Sequence, residues 1–168
     1  MSIVLIGMMG VGKSTLGRAA SKALGWKFID IDHEVEQSAK RSIPEIFANE
    51  GESAFREMET DTIARFSGKK NLVVATGGGA PVRQGNLALM REIGPVVYLE
   101  AGCEALTRRL KNSRTRRPML GDDIDGRVRQ LLDEREPTYR EADFRIQVDE
   151  SSPMAIVLEI KRIAEVHS

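Results

Sequence analysis

The stretch GMMGVGKST at positions 7–15 fits the spacing G-x-x-x-x-G-K-[ST], with Gly7, Gly12, Lys13 and Ser14 in the fixed places. The apolar run Ile3-Val4-Leu5-Ile6 stands directly before it. No other feature constrains the fold as strongly, because this motif works as a tight loop between a strand and a helix. Backbone N–H groups from Gly10, Val11, Gly12, Lys13, Ser14 and Thr15 turn inward around phosphate oxygens, the Lys13 ammonium reaches the β- and γ-phosphates, and the Ser14 hydroxyl ligates Mg²⁺. The positive end of the following helix adds to the anion site. That helix is written in Leu16, Ala19, Ala20, Ala23 and Leu24 at helical spacing, with Gly25 as its stop.

Four further apolar runs bounded by turn residues read as strands: Trp26–Ile29, Asn71–Ala75, Val96–Leu99 and Phe144–Val148. Helical patterns separate them, over 33–41, 42–51, 52–66, 86–92, 103–111, about 125–136 and 153–166. Ser42-Ile43-Pro44-Glu45 carries a capping box with an early proline, and Ser152-Pro153 caps the last helix. Five strands alternating with helices predict an α/β fold, a parallel sheet covered on both faces, as a single domain over 1–168.

Composition narrows the function by exclusion. Lys+Arg and Asp+Glu balance at 25 each, so no global field draws nucleic acid or an anionic membrane. The lone Cys103 makes no internal disulfide, and neither a signal peptide nor a long apolar segment is evident, so a soluble cytoplasmic protein is expected. Only His33 and His167 occur, which disfavours a His-based triad or metal site and leaves a carboxylate as the expected general base.

Three places beyond the loop carry chemistry. Asp30 and Asp32 follow the second strand and share one side if the chain stays extended, placing two carboxylates for metal support and proton removal. The third strand empties into Thr76-Gly77-Gly78-Gly79, a costly run unless backbone must approach something closely. Thr76 stands where many nucleotide hydrolases have a metal-supporting acid. Six cations, Arg108, Arg109, Lys111, Arg114, Arg116 and Arg117, crowd positions 108–117. No aromatic residues interleave with them, which speaks against a nucleic-acid surface. The absence of an N-K-x-D signature speaks against a guanine-nucleotide switch.

The segments GMMGVGKSTLG, FIDIDHEVE, SIPEIFANEGESAFREMET, TGGGA, RRPML and REPTYREAD, in this order along nearly the whole chain, resemble the shikimate kinases. The resemblance implies a P-loop kinase fold like that of nucleoside monophosphate kinases, with strand order 2-3-1-4-5. It also implies an acceptor-binding helical segment at about 32–60, a lid at about 111–124, and transfer of the γ-phosphoryl group of ATP to the 3-hydroxyl of shikimate with Mg²⁺. On matching positions it makes Asp32 the base at the reacting hydroxyl and Asp30 a Mg²⁺ support through water. Arg56 and Arg135 become the carboxylate clamp, Gly77, Gly78 and Gly79 the backbone facing the ring, and Arg117 the lid cation on the ATP phosphates. Lys13 and Arg117 join Asp32 as catalytic groups, and a monomer is the default. One departure stands out: the family's arginine after the last strand is replaced by Asp149-Glu150-Ser151-Ser152-Pro153, leaving adenine recognition to this loop and the Arg108–Leu110 region. A gluconate-type kinase or a non-catalytic nucleotide switch are the competing readings; neither requires Asp32, Arg56 and Arg135 together.

Overall fold

In the computed structural model, which describes residues 1–113 and 121–167, five short strands form one sheet in the order β2-β3-β1-β4-β5, every neighbouring pair parallel. They are β1 (Ile3–Ile6), β2 (Lys27–Asp30), β3 (Leu72–Ala75), β4 (Val96–Glu100) and β5 (Phe144–Gln147). All four side chains of β1 are fully buried. Successive strand residues point to opposite faces, so burial of the whole run means that helices cover both faces of the sheet centre. Each such aliphatic side chain contributes about 1.5–3 kcal/mol relative to exposure. The edge strand β5 alternates instead, with Ile146 buried between exposed Arg145 and Gln147.

The helices are α1 (Lys13–Leu24), α2 (Ile31–Ala39), α3 (Ile43–Ala64), α4 (Asn86–Ile93), α5 (Cys103–Lys111), α6 (Ile124–Tyr139) and α7 (Pro153–Val166). The expected capping box opens α3: the Ser42 hydroxyl accepts from the Glu45 N–H at 3.4 Å, and the Glu45 carboxylate accepts from the Ser42 N–H at 2.7 Å. The two helical runs predicted on either side of Gly51 are continuous across a kink, where Gly51 takes φ 85°, ψ 172°. Ser152 caps α7 through the Ala155 N–H, at the predicted start.

Two expectations need correction. Helix α6 does not end at Glu136 but runs through Pro137 to Tyr139. Proline there removes one intrahelical donor near the C-terminus, with only Thr138 and Tyr139 left to follow it in the helix. The chain also does not stay extended through Asp32. It turns helical at Ile31, so Asp30 ends β2 and Asp32 lies in the first turn of α2.

Strand register positions the site. Leu5 and Asp30 both lie level with Ala75, so the carboxyl ends of β1, β2 and β3 finish together. The loop from Gly7, the β2–α2 junction and Thr76-Gly77-Gly78-Gly79 therefore open onto the same edge of the sheet, where ligands of open α/β sheets bind.

Candidate active site

A cleft of about 540 Å³ lies at this edge, lined by the phosphate loop from Met9 to Thr15, by Asp30 and Asp32, by Thr76, Gly77 and Gly78, and by Arg109 and Leu110. The loop turns on left-handed Gly10 (φ 83°) and Gly12 (φ 103°), the latter capping α1. The Lys13 ammonium donates to the carbonyl oxygens of Gly7 (2.7 Å) and Met8 (2.9 Å), holding the cation over the loop. The Ser14 hydroxyl donates to Asp30 Oδ2 at 2.8 Å.

Asp30 and Asp32 do meet in the cleft, by the helical turn after β2 rather than by strand alternation. Burial raises the Asp32 carboxyl above its ordinary value, and the neighbouring Asp30 charge adds to the rise, while Lys13 and Arg56 oppose it. This is the environment of a carboxylate made more basic than in water.

The triple glycine is packed against charged groups. A Cβ on Gly77 would lie 2.7 Å from Glu59 Oε1 and 2.8 Å from Asp32 Oδ1, and one on Gly79 would overlap the Arg56 guanidinium. On Gly78 it would meet Arg135 Nη1 at 3.0 Å. None of these glycines takes a left-handed φ, so the requirement is for close approach, as the sequence suggested. Arg56 lies on the second arm of α3 with Nη1 2.8 Å from Glu59 Oε2, its guanidinium also stacked 5.1 Å from the Phe55 ring. Arg135, on α6, is only 5% exposed.

Asp32 Oδ1, Glu59 Oε1, Thr76 Oγ1 and Arg135 Nη1 are buried atoms without a hydrogen-bond partner among the described residues. Orphaned buried polar atoms are costly unless something else satisfies them. Three of these border the glycine run directly and Thr76 precedes it, while a fifth such atom, Thr107 Oγ1, lies on α5, so most of the cost falls where a polar small molecule or its bound water would relieve it. The donor set also fits Mg²⁺, which takes one or two protein oxygens and leaves the rest of its shell to phosphates and water. The paired Ser14 hydroxyl and Asp30 carboxylate supply those oxygens at the cleft that Thr76 also lines.

Sequence reasoning missed Glu59 and Tyr139. Glu59 is fully buried beneath Arg56, one helical turn on, and the i,i+3 spacing was the available signal. The Tyr139 hydroxyl donates to the Gly78 carbonyl oxygen at 2.5 Å, fixing the glycine run from α6, four residues after Arg135. The two segments expected near the nucleotide base do meet: Arg109 donates to the Val11 carbonyl (3.3 Å) and lies 3.8 Å from Asp149, which also accepts from the Gly102 N–H. Arg117, with Arg114 and Arg116, lies outside the described residues.

A phosphate loop on the central strand of a 2-3-1-4-5 sheet, with Asp30, Asp32 and the start of the glycine run lining the same cleft, is the arrangement of a small-molecule kinase of the P-loop class. The family model for shikimate kinase matches residues 9–165. The chain is 41% identical to the shikimate kinase of Persephonella marina over 159 residues, 95% of this chain and 96% of that one. The structure of shikimate kinase from Acinetobacter baumannii in complex with shikimate superposes with a TM-score of 0.90 at 36% identity, covering 98% of this chain and 93% of that one. A gluconokinase from Sinorhizobium meliloti, at 20% identity and a TM-score of 0.67 over 99% of this chain and 93% of that one, shares the fold alone. The chain belongs to the shikimate kinase family, and is an ATP-dependent kinase.

Proposed function

We propose that the chain transfers the γ-phosphoryl group of ATP to the 3-hydroxyl of shikimate, with the donor on the phosphate loop and the acceptor over Gly77–Gly79. The observation that carries the acceptor half is the convergence on that glycine run of a basic carboxylate, Asp32, and two arginines, Arg56 and Arg135. Shikimate presents one carboxylate and three hydroxyls. Paired guanidinium forks suit the carboxylate, and Asp32 suits the reacting hydroxyl.

In this reading Asp32 Oδ1 accepts the proton as the acceptor oxygen bonds to the γ-phosphorus and the bond from that phosphorus to the bridging oxygen breaks, leaving ADP. Lys13 and the N–H groups of Gly10 to Thr15 hold the phosphates and spread their charge. Mg²⁺ supplies neutralisation of the β- and γ-phosphate oxygens when bound, and the residues that would hold it are Ser14 directly and Asp30 through water. Arg117, from the segment 111–124 assigned as a lid, adds a cation to the transferring group. In this reading the chain works as a monomer in the cytoplasm.

ADP release measured with shikimate, quinate, gluconate and nucleoside monophosphates as parallel acceptors tests the reading. Shikimate-dependent turnover well above the others is expected. Equal turnover with gluconate would overturn the acceptor assignment.

A further inference from the structure

Asn86 opens α4 some distance from the cleft, yet its side chain is wholly buried and bonded at both ends. Its Nδ2 donates to the Ala80 carbonyl oxygen at 2.8 Å. Its Oδ1 lies 3.0 Å from the Thr60 hydroxyl, which also sits 3.0 Å from the Arg56 carbonyl oxygen. A backbone carbonyl only accepts, so the Asn86 amide N–H must face Ala80 and Oδ1 must face Thr60, whose single hydroxyl proton is shared between two acceptors, Asn86 Oδ1 and the Arg56 carbonyl oxygen.

These bonds add a buried polar link between two segments that also pack against each other, since α3 touches both α4 and the turn that follows the glycine run. Ala80 follows Gly79 and closes the glycine run through its N–H to the Gly77 carbonyl at 3.2 Å. Thr60 is one helical turn beyond Arg56 on α3. The gap between them is the gap across which the Arg56 guanidinium lies on Gly79 so closely that no Cβ fits.

We infer that the Thr60–Asn86–Ala80 chain of hydrogen bonds is a positioning device, fixing the height of Arg56 above the glycine run and hence the grip on the acceptor carboxylate. Neither Thr60 nor Asn86 lines the cleft or touches the reacting atoms. Their effect passes through the backbone of α3 and of the loop. The inference rests on the acceptor role proposed for Arg56. Because donor groups hang from β1 and α1, on the other side of the glycine run, a slackened link alters acceptor binding and spares ATP.

Thr60→Val removes the hydroxyl while keeping the shape, and Thr60→Ser retains the hydroxyl. Thr60→Ala is a second hydroxyl-free variant that guards against a packing fault of valine. Melting temperature, kcat and the KM values for shikimate and ATP are measured for each, with Arg56→Lys alongside. A displaced guanidinium should raise the shikimate KM about tenfold in Thr60→Val and Thr60→Ala, with the ATP KM held within about twofold and Thr60→Ser close to wild type. A lower melting temperature with both KM values unchanged means that the link is structural only, and a parallel rise in both KM values means that it does not act through Arg56; either result overturns the inference. If Arg56→Lys raises the shikimate KM and the Thr60 variants do not, this inference alone falls. An unchanged shikimate KM in Arg56→Lys instead removes the acceptor reading beneath it.

Discussion

Arg56 and Glu59 stand one turn apart on α3 in a 2.8 Å ion pair whose carboxylate is wholly buried while its guanidinium lies against Gly79. Burial pushes the Glu59 carboxyl up to about 7 in spite of Arg56, and the Asp32 charge adds to the rise. A glutamate in the unfolded chain releases its proton near 4.5. Between these two values the native state holds more proton than the unfolded state, so this group's contribution makes stability fall as pH rises through the window and level off above it. Glu59→Gln should flatten that slope, changing the wild-type-minus-variant difference in unfolding free energy by about 3 kcal/mol across the window. Urea unfolding at several pH values checks this; parallel curves would clear Glu59 of the effect.

Arg56→Ala should weaken acceptor use by about 2–5 kcal/mol in kcat/KM for shikimate, the cost of a stranded anion contact, with nucleotide affinity nearly unchanged. Titration calorimetry with ADP separates the two halves. An equal loss of nucleotide affinity would contradict the assignment.

Asp32→Asn keeps the shape of the side chain and removes the proton acceptor. Turnover should fall by about 10²–10⁴, with a far smaller change in the shikimate KM. Asp32 works as base only when ionised and its carboxyl is raised, so the wild-type rate should climb with pH across that titration and the variant's residual rate should not. A variant with wild-type turnover removes Asp32 from the proton transfer.

Gly79→Ala puts a methyl group into the Arg56 guanidinium, the flexible end of a long side chain. The fold should tolerate this, with a melting temperature within a few degrees of wild type, because the arginine can swing aside. The shikimate KM should nonetheless rise about tenfold or more, since Arg56 is displaced from its place. Steady-state kinetics beside a thermal melt decides; a collapse in stability with intact KM would mean that packing, and not the clamp, needs this glycine.

Much of this architecture is legible in the residues themselves. Ile3–Ile6 declares a strand, GMMGVGKST a loop and helix start, and Ser42 and Ser152 mark helix starts where the structure has them. Local chemistry decides these features, so local sequence reveals them. Asp32 is a harder case: the pairing with Asp30 was readable but the geometry was not, because a two-residue spacing has different meanings in a strand and in a first helical turn. Glu59 was not readable as a buried group at all. Within GESAFREMET it is one more charge on a helix, and the close approach of Gly77 from the loop after β3 helps to bury it beneath Arg56. Asn86 and Tyr139 were silent for the same reason, since their partners Thr60 and Gly78 are distant in sequence.

The sheet order has a consequence for where the molecule fluctuates. The phosphate loop hangs from β1, which is bonded on both sides, whereas Asp30 and Asp32 hang from β2, an edge strand bonded only to β3. Amide protons of a doubly flanked strand exchange with solvent near the global unfolding limit, and those of an edge exchange through cheaper local openings. The amides of β1, from which the phosphate loop hangs, should therefore exchange more slowly than those of β2, from which the Asp30 and Asp32 pair hangs, so that the two carboxylates can shift without loosening the loop.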